Sequence, residues 1–253
     1  MSRSATTASR PATVAAGSAR IGPGTLTVVA RLDSGDEGAD SGATVAAARA
    51  ARAGGALALL VPAPADPAGY PAPLAACAHA TGLPVIADAA SADAVAAVAP
   101  AAAMLRVRTG QLDAAMTAAL DAAGLPVLLE RGPDADVTGW LEAAGRLGPD
   151  VVALCDRGEH GVVDLTLVPR VRAVSTLPVL VDATSTDPAA TGALARAATA
   201  AGADGVLVTT PEDEGGLAGL VADLSDVAGL HGRRVTGSRI RYVRGRWADG
   251  DGR

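Results

Sequence analysis

The chain has 253 residues, is 49% hydrophobic and carries a formal net charge of -6, with an isoelectric point near 5.0. This length and apolar content allow one large buried core and exclude a disordered chain. The acidic balance argues against a nucleic-acid-binding protein, because neutralising phosphates requires a basic face.

The two ends of the chain differ in composition from its middle. Residues 1–20 are rich in Arg, Ser and Ala and predict a disordered leader, whereas 231–253 is a basic, glycine-rich tail. The tail is either a solvated extension or a contact surface for a partner or a polyanion. Cys77 and Cys155 lack CxxC spacing, so we expect buried free thiols in a reducing cytoplasm. No run is long and apolar enough for a membrane span or a signal peptide.

Eight short apolar runs recur along residues 21–230 and predict β-strands. In chain order they are 25–30, 56–61, 83–88, 103–107, 125–130, 151–155, 177–182 and 204–208. Alanine-rich segments predict helices between them, at 44–53, 92–98, 111–123, 137–147 and 188–201. Strands that are apolar throughout are typical of a parallel sheet buried on both faces, and eight β/α units predict a (β/α)8 TIM barrel over 21–230. A doubly wound open sheet is the alternative, although no GxGxxG motif follows the first strand.

Charged residues stand where the predicted strands end. LPVLLERG at 125–132 and VVALCDRG at 151–158 both stop at an acid, an arginine and a glycine. The carboxyl ends of barrel strands meet at one mouth, where the active sites of such barrels form. The charged residues that we expect at this mouth are Asp33, Asp88, Arg106, Arg108, Glu130, Arg131, Asp156, Arg157 and Asp182.

Two interpretations of these charged residues remain open. In the first, the acids Glu130, Asp156 and Asp182 pair with four arginines in a half-buried ion network that only stabilises the mouth, and these arginines are Arg106, Arg108, Arg131 and Arg157. In the second, Asp33, Asp88 and Asp182 form a site for Mg²⁺, Mn²⁺ or Ca²⁺, because these cations prefer carboxylate oxygens. His160, two residues after the second motif, is a further candidate for proton transfer.

Three segments match, in the same order, the PVLLKRG, ILCERG and LPVIVDPSH segments of one enzyme family. They are LPVLLERG at 125–132, ALCDRG at 153–158 and LPVLVDATS at 177–185. The family that they resemble is the type I, beta-like 3-deoxy-7-phosphoheptulonate (DAHP) synthases, with the related KDO-8-phosphate synthases. The resemblance extends over about 19–208, and it implies a TIM barrel that condenses phosphoenolpyruvate with an aldose phosphate, usually with a divalent metal.

The resemblance also implies roles for individual arginines. Arg157 matches the family arginine that holds the phosphate of phosphoenolpyruvate, and Arg131 also matches residue by residue. Arg108 lies close to the position of another family arginine. We therefore expect these three residues to be the remaining binding positions for phosphate or a smaller carboxylate.

The sequence departs from the family at its catalytic and metal-binding positions. Glu130 stands where the family has the Lys of PVLLKRG, Ser185 replaces a metal-binding His, and Thr209 replaces a metal-binding Glu. The short loop at 62–68 lacks the family's catalytic Lys. A change from Lys to Glu beside a phosphate replaces attraction by repulsion, each on the order of 4 kcal/mol at ~4 Å and an effective dielectric of ~20. We therefore expect that the family reaction is lost.

Three functions remain as alternatives. The first is a non-catalytic or accessory homologue, a pseudoenzyme of aromatic amino acid biosynthesis, that binds a small anion and associates with itself or with a pathway enzyme. The second is an enzyme repurposed for another lyase or condensation reaction that uses the acidic rim. The third is residual, metal-independent DAHP synthase activity. The first accounts for a retained scaffold together with altered chemistry.

Overall fold

The structure is a computed structural model of the chain. It describes residues 13–32, 41–64, 69–133, 135–148, 151–158, 162–185, 187–209, 214–235, 241–243 and 246–248.

A closed parallel barrel dominates these residues and confirms the predicted (β/α)8 fold. Its strands are β3 (Thr25–Arg31), β4 (Ala58–Val61), β5 (Val85–Asp88), β6 (Met104–Arg108), β7 (Val127–Glu130), β8 (Val152–Asp156), β9 (Val179–Asp182) and β10 (Gly205–Thr209). Neighbouring strands pair in parallel from β3 to β10, and β10 pairs with β3 to close the barrel. The open sheet is therefore excluded. Each predicted strand coincides with an observed one to within two residues at either end.

A helix follows every barrel strand and packs on the outside. These helices are α1 (Ser41–Ala53), α2 (Pro71–Thr81), α3 (Ala92–Val98), α4 (Ala114–Ala123), α5 (Val137–Gly145), α6 (Leu167–Val174), α7 (Pro188–Ala201) and α8 (Glu214–Leu230). Aspartates begin several of them: the side chain of Asp113 accepts from the backbone N–H of Met116, and that of Asp136 accepts from Gly139. The predicted helix at 111–123 therefore starts later, at Ala114, after a 3-10 turn at Thr109–Gln111.

The residues along each strand alternate between two buried clusters. One set, including Leu129, Leu154 and Val181, packs between the barrel and the helices. The other set fills the inside of the barrel and includes Leu128, Cys155 and other side chains from every strand. This period-two alternation decides which charged residue at a strand end points into the mouth.

A short hairpin closes the end of the barrel opposite the mouth. It consists of β1 (Val14–Ala16) and β2 (Ala19–Ile21), which pair antiparallel. Its buried side chains join the cluster inside the barrel, and the Thr27 side chain of β3 donates a hydrogen bond to the Arg20 carbonyl. The hairpin lies partly inside 1–20, where a disordered leader is predicted, and residues 1–12 lie outside the described residues.

The described residues beyond α8 include three short strands. β11 (Arg234–Val235) pairs in parallel with the start of β3, and β12 (Arg241–Val243) pairs antiparallel with β13 (Arg246–Ala248). These strands fall within the segment at 231–253 that is predicted to be a flexible tail. Across the described part of the chain, none of the helices has the length and hydropathy that crossing a membrane requires.

Candidate functional site

Six charged side chains among the described residues pair with one another inside the barrel mouth, and we call them the mouth network. They lie at the ends of β5 to β9, and they are Asp88, Arg106, Arg108, Glu130, Arg157 and Asp182. The alternation along each strand explains their orientation. Side chains two residues apart on a strand point to the same face. Met104 lies inside the barrel, so Arg106 and Arg108 also face inward. Cys155 lies inside the barrel too, so Arg157 faces inward for the same reason.

Arg106 is the centre of this network. Its Nε lies 2.5 Å from Asp88 Oδ1 and its Nη2 lies 3.1 Å from Asp88 Oδ2, which is a two-pronged contact. Its Nη1 lies 3.3 Å from Glu130 Oε2 and 3.6 Å from Asp182 Oδ2. The Arg106 side chain is only 6% exposed, so one buried guanidinium faces carboxylates from three strands.

The two remaining arginines extend the network towards solvent. Arg108 Nε donates to Glu130 Oε1 at 3.0 Å, and the Arg108 side chain is 53% exposed. Arg157 Nε lies 3.9 Å from Asp182 Oδ2, which is too far for a hydrogen bond, and its side chain is 42% exposed. Among the described arginines of the mouth network, Arg157 is therefore held most loosely.

The local field changes the ionisation of two buried groups. Burial, the largest effect, would lower the pKa of Arg106, but the charge and hydrogen bond of Asp88, together with Glu130, raise that pKa above its ordinary value. Burial, followed by the nearby charges of Asp182 and Glu130, raises the pKa of the Cys155 thiol well above its ordinary value. Arg106 is thus a permanent cation, and Cys155 is a neutral thiol without the character of a nucleophile.

Arg131 and Asp156 form a separate pair outside the barrel interior. Arg131 Nε donates to Asp156 Oδ1 at 2.7 Å, and its Nη1 donates to the Ala135 carbonyl at 3.1 Å. Asp156 lies opposite Val181, whose side chain belongs to the cluster between strands and helices. Arg131 was predicted to bind a ligand and Asp156 to belong to the rim of the mouth. In the structure both side chains lie on a different face of the barrel wall from those of Arg157 and Glu130. The physical reason is that neighbouring strand residues point to opposite faces.

The observed pairs agree with the first interpretation of the charged residues, the ion network. That interpretation assigned three acids to the network, and each of them contacts at least one arginine. Glu130 contacts Arg106 and Arg108, Asp156 contacts Arg131, and Asp182 contacts Arg106 and Arg157.

The cation site predicted at Asp33, Asp88 and Asp182 stays a prediction. Asp33 lies outside the described residues, as does His160. The other two acids both face Arg106. Within the described ranges, no group of three or more His, Cys, Asp or Glu side chains is arranged to hold a metal ion.

One residue of the mouth and one that contacts the strand ends beside it were not identified from the sequence. Arg31 ends β3 and its Nη1 donates to Thr184 Oγ1 at 3.3 Å, while that hydroxyl donates to Asp182 Oδ1 at 2.6 Å. Tyr70 is 2% exposed, and its hydroxyl donates to the Val61 carbonyl and accepts from the backbone N–H of Asp88. Arg31 could have been identified from the sequence, because it lies two residues after Val29, which faces the inside of the barrel. No sequence pattern indicated the position of Tyr70.

The glycines that end both ERG and DRG motifs are required by close packing. A Cβ on Gly132 would lie 2.7 Å from Thr109 Oγ1, whose oxygen accepts from the Gly132 N–H. Gly158 has φ +76°, and a Cβ there would lie 2.1 Å from the Val162 carbonyl oxygen. The abrupt end of each apolar run thus combines an inward charge, an outward charge and a turn that only glycine fits.

The fold and the site together define a (β/α)8 barrel whose mouth is lined by mutually paired arginines and carboxylates. A truncated form of 3-deoxy-D-arabino-heptulosonate 7-phosphate synthase from Thermotoga maritima has the same fold, with a TM-score of 0.76, 23% identity and coverage of 88% of this chain and 94% of that one. A Thermotoga maritima phospho-2-dehydro-3-deoxyheptonate aldolase (DAHP synthase) gives a TM-score of 0.74 and 24% identity, with coverage of 87% and 74%. Identities this low establish a shared fold. No protein-family profile and no curated protein sequence matches this chain.

Proposed function

We propose that this chain is a divergent member of the DAHP synthase family that has lost the family reaction and acts as a non-catalytic, accessory homologue. The ordered matches of three strand-end segments and the shared barrel support the family assignment. The observation that carries the loss of reaction is the mouth network, in which each carboxylate neutralises an arginine that could otherwise bind phosphate.

The charge balance of the mouth opposes binding of phosphoenolpyruvate. Within the mouth network, Arg106, Arg108 and Arg157 are matched by three carboxylates within 4 Å, so that its formal charge is zero. Phosphoenolpyruvate carries a carboxylate and a phosphate, and the phosphate alone carries roughly -1.5 to -2 near pH 7. A mouth of this charge cannot compensate such a ligand without breaking its own ion pairs, because buried charges require close partners.

The sequence also lacks a lysine for the chemistry. All 21 Lys and Arg positions of the chain are arginine. The family's catalytic Lys and the Lys of PVLLKRG are therefore missing together, and no other lysine can substitute for them. Losing a group that stabilises or transfers charge in the transition state commonly costs about two to four orders of magnitude in rate.

A weak small-anion site is compatible with this proposal. Arg108 and Arg157 are the exposed arginines of the mouth network, and Arg157 makes no hydrogen bond with Asp182. A monocarboxylate needs less compensation than phosphoenolpyruvate, so it is the ligand class that fits this remaining capacity. An enzyme that uses the acidic rim is less well supported, because Glu130 is paired to arginines and Asp156 lies outside the mouth.

The proposal is tested by incubating the full chain with phosphoenolpyruvate and either erythrose 4-phosphate or arabinose 5-phosphate. Phosphate release and the condensed sugar acid are measured with Mn²⁺ and with EDTA, and the Thermotoga maritima synthase serves as the active control. We expect neither product above background. Formation of the condensed sugar acid by the wild type, and its disappearance in Arg157→Ala, would overturn the loss of reaction.

The accessory role requires association. Light scattering of the purified chain, alone and mixed with an active synthase of the same cell, measures whether it assembles with itself or with the enzyme. A chain that stays monomeric under both conditions and leaves the enzyme's kinetics unchanged would contradict an accessory role.

A further inference from the structure

Three carboxylates from three different strands converge on one side chain. Asp88 of β5, Glu130 of β7 and Asp182 of β9 approach the Arg106 guanidinium to 2.5, 3.3 and 3.6 Å. The side chains of Glu130 and Asp182 are 5% and 0% exposed. Such a group of acids inside a barrel requires a compensating cation, and the chain supplies it covalently.

The family resemblance implies a divalent metal in the mouth, but these residues do not fit one. Mg²⁺ and Mn²⁺ need several oxygen ligands that are free to approach to about 2.0–2.2 Å. Asp88 is held by both prongs of the guanidinium, and Glu130 is shared by two arginines. A metal ion added here would also lie beside the positive charge of Arg106 and be repelled by it.

Two buried atoms show that Arg106 occupies this position imperfectly. Arg106 Nη1 and Asp182 Oδ2 are both buried without a hydrogen bond to any described residue, although they lie 3.6 Å apart. The guanidinium binds Asp88 along one edge, while its Nη1 lies 3.3 Å from Glu130 and 3.6 Å from Asp182 and makes a hydrogen bond with neither. The carboxylates thus keep capacity for a cation with less directional bonding.

We propose that Arg106 is the resident cation of the mouth and determines its cation specificity. Its guanidinium occupies the place that a divalent metal would take among Asp88, Glu130 and Asp182, and it keeps such metals out of the mouth. This assignment concerns the cation and does not depend on the proposed function, since an active chain would be equally metal-independent.

The test compares Mn²⁺ binding, by electron paramagnetic resonance of the free ion, in the full-length wild type and four variants at pH 7, one of which is Asp182→Asn alone. Arg106→Met removes the cation from three carboxylates. Arg131→Met is the matched control, because it removes a similarly buried arginine that pairs with Asp156 outside the mouth network. The double variant Arg106→Met/Asp182→Asn removes one of the three acids as well.

We expect one Mn²⁺ per chain to bind Arg106→Met at least about tenfold more tightly than it binds the wild type or Arg131→Met, with a matching rise in Tm. The double variant should lose this gain. A folded Arg106→Met protein with no gain in Mn²⁺ affinity overturns the proposal.

The wild type provides a decision even if Arg106→Met does not fold. If the wild type binds Mn²⁺ at a site that Asp182→Asn abolishes, the mouth accepts a metal in the presence of Arg106 and the proposal is wrong. If Asp182→Asn and the wild type bind Mn²⁺ equally, the wild-type mouth holds no metal ion and the proposal stands.

Discussion

Neutralising Glu130 should convert the mouth into a better anion site. Glu130 is 4% exposed, with one oxygen 3.0 Å from Arg108 Nε and the other 3.3 Å from Arg106 Nη1. Glu130→Gln keeps the size of the side chain and removes one negative charge, so the formal charge of the mouth network rises from zero to +1. Glu130→Lys restores the residue type of the resembling family and raises that charge further.

The gain follows from the charges and distances. A carboxylate and a bound phosphate about 6 Å apart repel by about 3 kcal/mol per unit charge at an effective dielectric of ~20. Solvent reduces this, because Arg108 and Arg157 are 53% and 42% exposed. We therefore expect about a tenfold gain in affinity for phosphoenolpyruvate in Glu130→Gln, which corresponds to about 1.4 kcal/mol, and a larger gain in Glu130→Lys.

Calorimetric titration with phosphoenolpyruvate and with inorganic phosphate, at low salt and at high salt, measures these affinities. Asp156→Asn is the matched control, because it neutralises an equally buried acid that pairs with Arg131 outside the mouth. High salt should reduce the gain in affinity, because it screens the charges. Neither Glu130 variant should form the condensed product, because the catalytic lysine is still absent. An equal gain in Asp156→Asn, or none in either Glu130 variant with an unchanged fold, would refute this account of the mouth.

Two further predictions concern stability. Burial raises the pKa of the Cys77 thiol from 9.0 to about 11, so the stability that this neutral thiol contributes is complete below pH 9 and is lost as pH rises through 11. Urea unfolding should show that Cys77→Ala reduces the alkaline loss of stability by up to about 1.4 kcal/mol per pH unit in this window, and an unchanged slope would contradict the assignment. Gly158→Ala should cost about 1–3 kcal/mol and lower Tm by several degrees, because its Cβ would meet the Val162 carbonyl at a positive φ. Gly110→Ala, which meets no atom within 4 Å, is its control, and equal Tm values for the two variants would refute the steric argument.

The barrel could be predicted from the sequence because its strands are buried on both faces. Runs such as LPVLVD at 177–182 are apolar throughout and bounded by proline and an acid, which locates β9 directly. Three helices were not delimited, since their composition opposes helix formation in isolation. α2 and α6 contain prolines, which a helix tolerates in its first turn, and α8 contains several glycines that only tertiary packing offsets.

The site was predicted less completely, because its geometry depends on register across several strands. The ends of the strands indicated candidate charged residues for the mouth, and those that the structure describes lie at or next to the carboxyl ends of β5 to β9. Only the alternation along the folded strands separates inward-facing Glu130 and Arg157 from outward-facing Arg131 and Asp156. The convergence of three acids on Arg106 joins residues far apart in the chain, and no local pattern encodes it.

Titration of the wild-type chain with phosphoenolpyruvate tests the central claim most directly. Because the mouth network neutralises its own arginines, we predict no saturable binding up to about millimolar ligand, a concentration that corresponds to about 4 kcal/mol of binding free energy. Micromolar binding that Arg157→Ala abolishes would show that the mouth retains an intact phosphate site, and it would contradict the proposed loss of the family reaction at its first step.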